Sequence, residues 1–197
     1  MRIWLIRHGL TRLGEEKRYQ GALDEGLSEH GRAALRQADL TPPRVYVSSM
    51  LRARETAAVL FPESEQIIVP DLREMDFGAF EGRSAREMSD DPDFRWWVEQ
   101  TRCMGPCPHG EARMVFQHRV CAAFRREVEK AMEAKTERLY LVVHGGTIMS
   151  IMSRFVRPET DYFDWRLGNC QGYRCEAGMG PEGLELTDVR LLHRVEP

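Results

Sequence analysis

The chain has 197 residues, 42% of them hydrophobic and 30% charged, with 28 Lys and Arg against 31 Asp and Glu for a formal net charge of −3. That length is enough to bury a substantial core, and one domain over residues 1–197 is the simplest expectation. The lack of a basic excess to neutralise a phosphate backbone argues against nucleic-acid binding, and any affinity for phosphate must come from a local cluster.

The first element is a short apolar run at residues 2–6, read as a buried strand. It ends in Arg7-His8-Gly9, which puts an imidazole at the C-terminal edge of a strand, where open α/β sheets bind ligands. Ser28 can cap a helix running to about Ala38. A second strand is expected at 44–48. It turns through Ser48-Ser49 into a helix from Arg52 to Leu60, stopped by Phe61-Pro62. A third strand is expected at 66–69, followed by the carboxylate-rich stretch Leu72-Arg73-Glu74-Met75-Asp76-Phe77-Gly78-Ala79-Phe80-Glu81-Gly82. Residues 83–110 interrupt the alternation and read as a lid or side wall, partly helical to Val98 and then rich in Gly, Pro and Cys. Trp96 and Trp97 there are expected to cover the core rather than to stack on a substrate. The longest helix spans Ala112 to Ala134, with Phe116, Val120, Phe124 and Val128 on one stripe. The run at 138–143 ends in His144-Gly145-Gly146-Thr147, where Thr147 can cap a further helix. An antiparallel edge is expected at 172–176 and a last strand from Leu184 to Leu192. Strands alternating with helices predict an α/β fold: a three-layer sandwich with a mostly parallel central sheet.

The chemistry is carried by the two strand ends. Side by side in a parallel sheet, they would aim His8 and His144 into one crevice. Arg7 and Arg52 supply fixed charge and planar forks of donors for phosphate oxygens. Gly145 leaves room beside His144. A neutral imidazole can attack phosphorus, provided that its far nitrogen donates to a fixed acceptor. A carboxyl of raised pKa can protonate the leaving oxygen. Glu74 is the candidate, with Asp76, Glu81 and Glu111 as competitors. Cys103, Cys107 and His109 could suggest zinc, but the Cys-x3-Cys spacing is looser than common knuckles and has no second pair. Small buried thiols are expected instead, and no metal or cofactor is assigned. Five scattered cysteines, an apolar start of only Ile3 to Ile6 and no membrane-length apolar run lead us to expect a cytoplasmic protein without membrane partners.

Taken in order, R-H-G-x-T at Arg7–Thr11, S-S-x-L-R-A-R at Ser48–Arg54, L-x-E-x-x-x-G-x-x-E-G at Leu72–Gly82 and V-H-G-G-T at Val143–Thr147 resemble the histidine phosphatase superfamily, also called phosphoglycerate mutase-like. The resemblance covers roughly residues 1–175. It implies that His8 is the nucleophile, its tautomer set by a backbone carbonyl, and Glu74 the general acid. It also implies a phosphate pocket from Arg7, Arg52, His144 and Gly145, and a positioning role for Glu111. The family often has Glu or Gln where Leu10 stands and Asn where Gly14 stands, which removes one expected phosphate contact. Gln20 could supply it, and Thr11, Gln20 and Gly21 are candidate substrate contacts. The chain is shorter than typical mutases, which favours a phosphomonoesterase acting on a small molecule. Asp76–Gly82 and the compact size are similar to α-ribazole phosphatases of cobalamin assembly. A mutase-type isomerase and a pseudoenzyme binding a phosphorylated partner are the alternatives. Oligomeric state has no signature in the sequence.

Overall fold

In a computed structural model, described for residues 1–158 and 160–194, six strands form one sheet in the order β3-β2-β4-β1-β5-β6. Strand β1 is Arg2–Arg7, β2 Arg44–Val47, β3 Glu65–Ile68, β4 Arg138–Val143, β5 Gly172–Gly180 and β6 Gly183–Leu192. The first four are parallel, while β5 and β6 run antiparallel at one side.

Period-2 alternation splits β1 between two cores. Ile3 and Leu5 enter one hydrophobic cluster, Trp4 and Ile6 the other. Helices α5 (Arg113–Glu133) and α6 (Gly145–Phe155) cover the first face through Phe116, Val120, Phe124, Ile148 and Phe155. Helix α3 (Leu51–Leu60) covers the second through Ala53, Ala57 and Leu60. This is the expected three-layer α/β arrangement, with a mostly parallel sheet between helical layers.

Several expectations change in detail. The 172–176 strand extends to Gly180 and is interior rather than an edge, because β6 pairs along its outer side. The helix capped by Ser28, α2, is only Glu29–Ala34. Leu35 turns extended and drops into the second core, and Ala38 N–H donates instead to Leu60 O at 2.9 Å. An unforeseen short helix α1, Arg12–Glu15, forms because the Thr11 hydroxyl accepts from Gly14 N at 3.1 Å. Thr147 is not a cap. His144 occupies that position, and Thr147 donates to Leu72 O at 3.2 Å, tying α6 to the segment that leads into Glu74.

Within 83–110, the expected helix to Val98 is a single turn, α4 (Pro92–Arg95), capped by Asp91, that widens into a π-type turn at Trp96–Gln100. Trp97 is buried and donates through Nε1 to Gly105 O at 3.0 Å, while Trp96 is 52% exposed. Among the described residues, no helix is long and apolar enough to cross a membrane.

Candidate active site

Sheet register makes the site. Strands β1 and β4 are neighbours with Arg7 opposite Val143, so the next residues, His8 and His144, emerge together from the same end of the sheet. Their ring centroids lie 5.1 Å apart at 61°. His8 N–H still pairs with Val143 O at 2.9 Å, which fixes the backbone up to the catalytic candidate.

His8 Nδ1 lies 2.7 Å from Gly9 O. A carbonyl only accepts, so Nδ1 carries the proton and Nε2 holds a free lone pair. Burial, reinforced by the charges of Arg52 and Arg7, holds the imidazole well below the usual histidine range, so it is neutral at pH 7. Asn169 Nδ2 donates at 3.2 Å to both His8 O and Gly9 O, bracing the carbonyl that sets the tautomer.

His8 opens onto a cavity of about 470 Å³. Arg7, Glu74, Gly145, Thr11 and Gln20 share its wall, as expected from the sequence. The Nη1 of Arg7 donates to Leu167 O, and its Nε is the one buried side-chain polar atom without a partner among the described residues. Glu74 is 8% exposed; Oε2 accepts from Gly146 N at 2.8 Å and Oε1 from Met75 N at 3.0 Å. Burial raises its carboxyl above the ordinary range, against the pull of those two N–H groups and of Arg52 and Arg7. The close approach requires Gly146, since a Cβ there would sit 2.3 Å from Glu74 Oε1.

Arg52 and His144 are placed differently from the expectation of a clamp on the cavity wall. Both are fully buried beneath it. Arg52 Nε donates to His144 Nδ1 at 3.3 Å, Nη1 to Leu23 O and Nη2 to Gly21 O, each at 2.9 Å. Arginine can only donate, so His144 is protonated at Nε2, which donates to Ser48 Oγ at 2.7 Å. Burial, with Arg52, His8 and Arg7, holds His144 well below the usual range as well.

The cause is the loop after Gln20. Glu81 accepts from Gly21 N at 3.0 Å, Ala22 N at 2.8 Å and Phe77 N at 2.9 Å, and so pulls the loop over the Arg52 guanidinium. Gly21 therefore contributes its carbonyl to Arg52 rather than a face to the cavity; a Cβ there would fall 1.7 Å from Met75 O. The other competing carboxylates are also committed to structure. Asp76 accepts from Gly78 N at 2.8 Å, and Glu111 pairs with Arg119 at 2.8 Å. The Gln20 amide is held by Thr11 at 2.7 Å and by Glu25 at 3.4 Å. Gly14 has no positive φ and lines the cavity, and a Cβ there would meet Leu10 Cδ1 and Thr11 Oγ1 at 3.2 Å each.

Residues that the sequence reading did not single out also line the cavity. Asn169, Tyr162, Phe163 and Arg166 come from the segment before β5, and Arg113 from the first turn of α5. Cys103 reaches the cavity edge, while Cys107 is buried and its thiol is pushed up to about 12 by burial. Among the described residues, no group of three or more His, Cys, Asp and Glu side chains is placed to hold a metal ion.

The sequence model of the histidine phosphatase superfamily (branch 1) matches residues 3–187. An adenosylcobalamin/alpha-ribazole phosphatase of Salmonella typhimurium is 30% identical over 172 residues, covering 79% of this chain and 80% of that protein. The alpha-ribazole phosphatase structure from Shigella flexneri superposes with a TM-score of 0.75 at 23% identity, over 98% and 96% of the two chains. A phosphoglycerate mutase structure from Thermus thermophilus gives 0.68 at 26% identity, over 99% and 100%.

Proposed function

Because the chain belongs to branch 1 of the histidine phosphatase superfamily, we propose that this phosphatase hydrolyses a small-molecule phosphate monoester through a phosphohistidine on His8. The observation that carries the reading is the pairing in one cavity of a neutral imidazole, its Nδ1 tied to Gly9 O at 2.7 Å, with a buried carboxyl of raised pKa.

The entering phosphate lies against Arg7, whose unpartnered Nε donates to one of its oxygens. The Nε2 lone pair of His8 attacks phosphorus as the P–O bond to the alcohol breaks. Glu74 delivers its proton to the leaving oxygen. Its carboxylate then takes a proton from water, which attacks the phosphohistidine, releases inorganic phosphate and restores both groups. Arg52 and His144 act from one layer below. The charge of Arg52 helps keep the buried His8 neutral, and the donors of both residues reach the phosphate by exchanging present bonds to the Gly21 and Leu23 carbonyls and to Ser48.

The finer readings come from the relatives' names. One is α-ribazole 5′-phosphate, whose organic part is uncharged; the other is a phosphorylated hydroxy acid, as a mutase handles. The test is inorganic phosphate release from a panel of phosphomonoesters. Stoichiometric release that is lost in His8→Ala supports the hydrolase. Isomerisation of a phosphoglycerate with little release supports a mutase, and binding without turnover supports a pseudoenzyme.

A further inference from the structure

The cavity holds more positive charge than one phosphate can answer. Four arginines line it, against Glu74 as the only carboxylate on its wall among the described residues. Arg18 is already neutralised, paired with Glu87 at 2.6 Å and Glu16 at 2.5 Å. Arg7 faces the phosphate position. That leaves Arg113 and Arg166.

Arg113 is only 5% exposed, yet no carboxylate pairs with it among the described residues. Its Nη2 donates to Arg102 O at 2.7 Å and its Nε to Met104 Sδ at 3.0 Å. Its guanidinium lies over the Tyr162 ring at 4.7 Å and the Phe163 ring at 4.9 Å. Arg166 lies over the same Phe163 ring at 4.6 Å and also has no ion pair among the described residues. Two guanidiniums on the cavity wall thus contact one aromatic ring, and neither has an anionic partner among the described residues. Aromatic contact offsets part of that cost, but like charges brought together and partly desolvated repel. Arg166 is held in register with the phosphate site, because Arg7 grips the carbonyl of Leu167, the next residue.

Resting on the phosphatase reading above, we infer that the alcohol portion of the substrate carries a second anionic group, a carboxylate or a second phosphate, that Arg113 and Arg166 answer. Phosphate esters of uncharged alcohols, α-ribazole 5′-phosphate included, leave both cations unanswered and are the poorer class. Arg166 selects the substrate directly. Arg113 does so as well, while also fastening the Arg102–Met104 turn.

The test uses matched esters: monophosphates of diols of two to four carbons, the corresponding phosphorylated hydroxy acids, and the diol bisphosphates. The wild-type protein should favour an anionic member over its neutral partner by about tenfold or more in kcat/KM, the discrimination expected of a charge-assisted pair. The better of the two anionic series identifies the group read. Arg113→Met should bring the ratio towards one. Should that variant fail to fold, Arg166→Gln at the exposed rim carries the same expectation. Turnover of all three series at similar kcat/KM overturns this inference and leaves the phosphatase reading standing, as does a preference that survives both substitutions. No turnover of any ester overturns both.

Discussion

Replacing Glu74 with Gln separates chemistry from architecture, because the two consequences have different magnitudes and different readouts. Each carboxyl oxygen accepts one backbone N–H, from Met75 at 3.0 Å and Gly146 at 2.8 Å. Gln keeps one acceptor oxygen and replaces the other with NH2, so one buried N–H loses its partner at a cost of about 1–3 kcal/mol. For a chain of this size that is roughly 2–4 °C in Tm per kcal/mol. The chemical effect is separate. An aliphatic alkoxide leaves badly without a proton, and a positioned general acid is worth about 10²–10⁴ in rate. A nitrophenolate leaves readily without one. Glu74→Gln should therefore cut kcat/KM on an alkyl phosphate by about 10²–10⁴ and spare nitrophenyl phosphate far more, with the modest loss of Tm seen in a thermal scan. Parallel assays of the two esters decide it. Equal losses on both would refute the acid assignment and leave Glu74 as the residue that fastens the N-terminus of α6.

Three other outcomes follow from the same geometry. His8 and His144 are neutral when folded and ordinary when unfolded, so below about pH 6.5 the unfolded chain binds protons that the folded one refuses. Stability should fall with acid by up to about 1.4 kcal/mol per pH unit for each, while the raised Glu74 carboxyl opposes one of these between about pH 4.5 and its folded value. Urea unfolding should thus show a loss between pH 7 and 5.5 that is flatter in His144→Gln; a flat wild-type profile would contradict the buried neutral pair. Glu81→Ala removes the acceptor of Gly21, Ala22 and Phe77 N–H and should cost about 2–4 kcal/mol in chemical denaturation; a neutral result would show that the loop over Arg52 holds without it. Activity should persist after exhaustive chelation, since the arginine and imidazole donors of this cavity suit phosphate oxygens rather than a divalent ion; loss that zinc or manganese restores would reverse that.

The fold was legible where hydrophobic pattern and chain punctuation agree. The apolar runs into His8 and His144 specify two buried parallel strands, and the sequence places one histidine directly after each. Their adjacency follows from sheet register, which a motif suggests but does not state. Glu74 was legible as a carboxylate near the site, but its two backbone partners were not, because Gly146 lies 72 positions away. The present partners of Arg52 were not legible for a similar reason. Its guanidinium donates to the Gly21 and Leu23 carbonyls because Glu81 holds the loop at residues 21–22, an arrangement that exists only after the loop folds. Thr147 looked like a helix cap by type and position, yet its hydroxyl is used on Leu72 O. Arg113 had no local signal. Its role comes from the Tyr162–Phe163 segment and the Arg102–Met104 turn closing around it, and neither is periodic. Asn169 lies in a stretch without regular structure and carries no local motif.

The central claim is that phosphate passes through His8. Rapid quench with 32P-labelled ester into alkaline denaturant, followed by peptide mapping, tests it most directly. The account predicts an acid-labile, alkali-stable label on the peptide containing His8, formed in the first turnover and absent from His8→Ala together with activity. Label on another residue, or label that survives in His8→Ala, would contradict it.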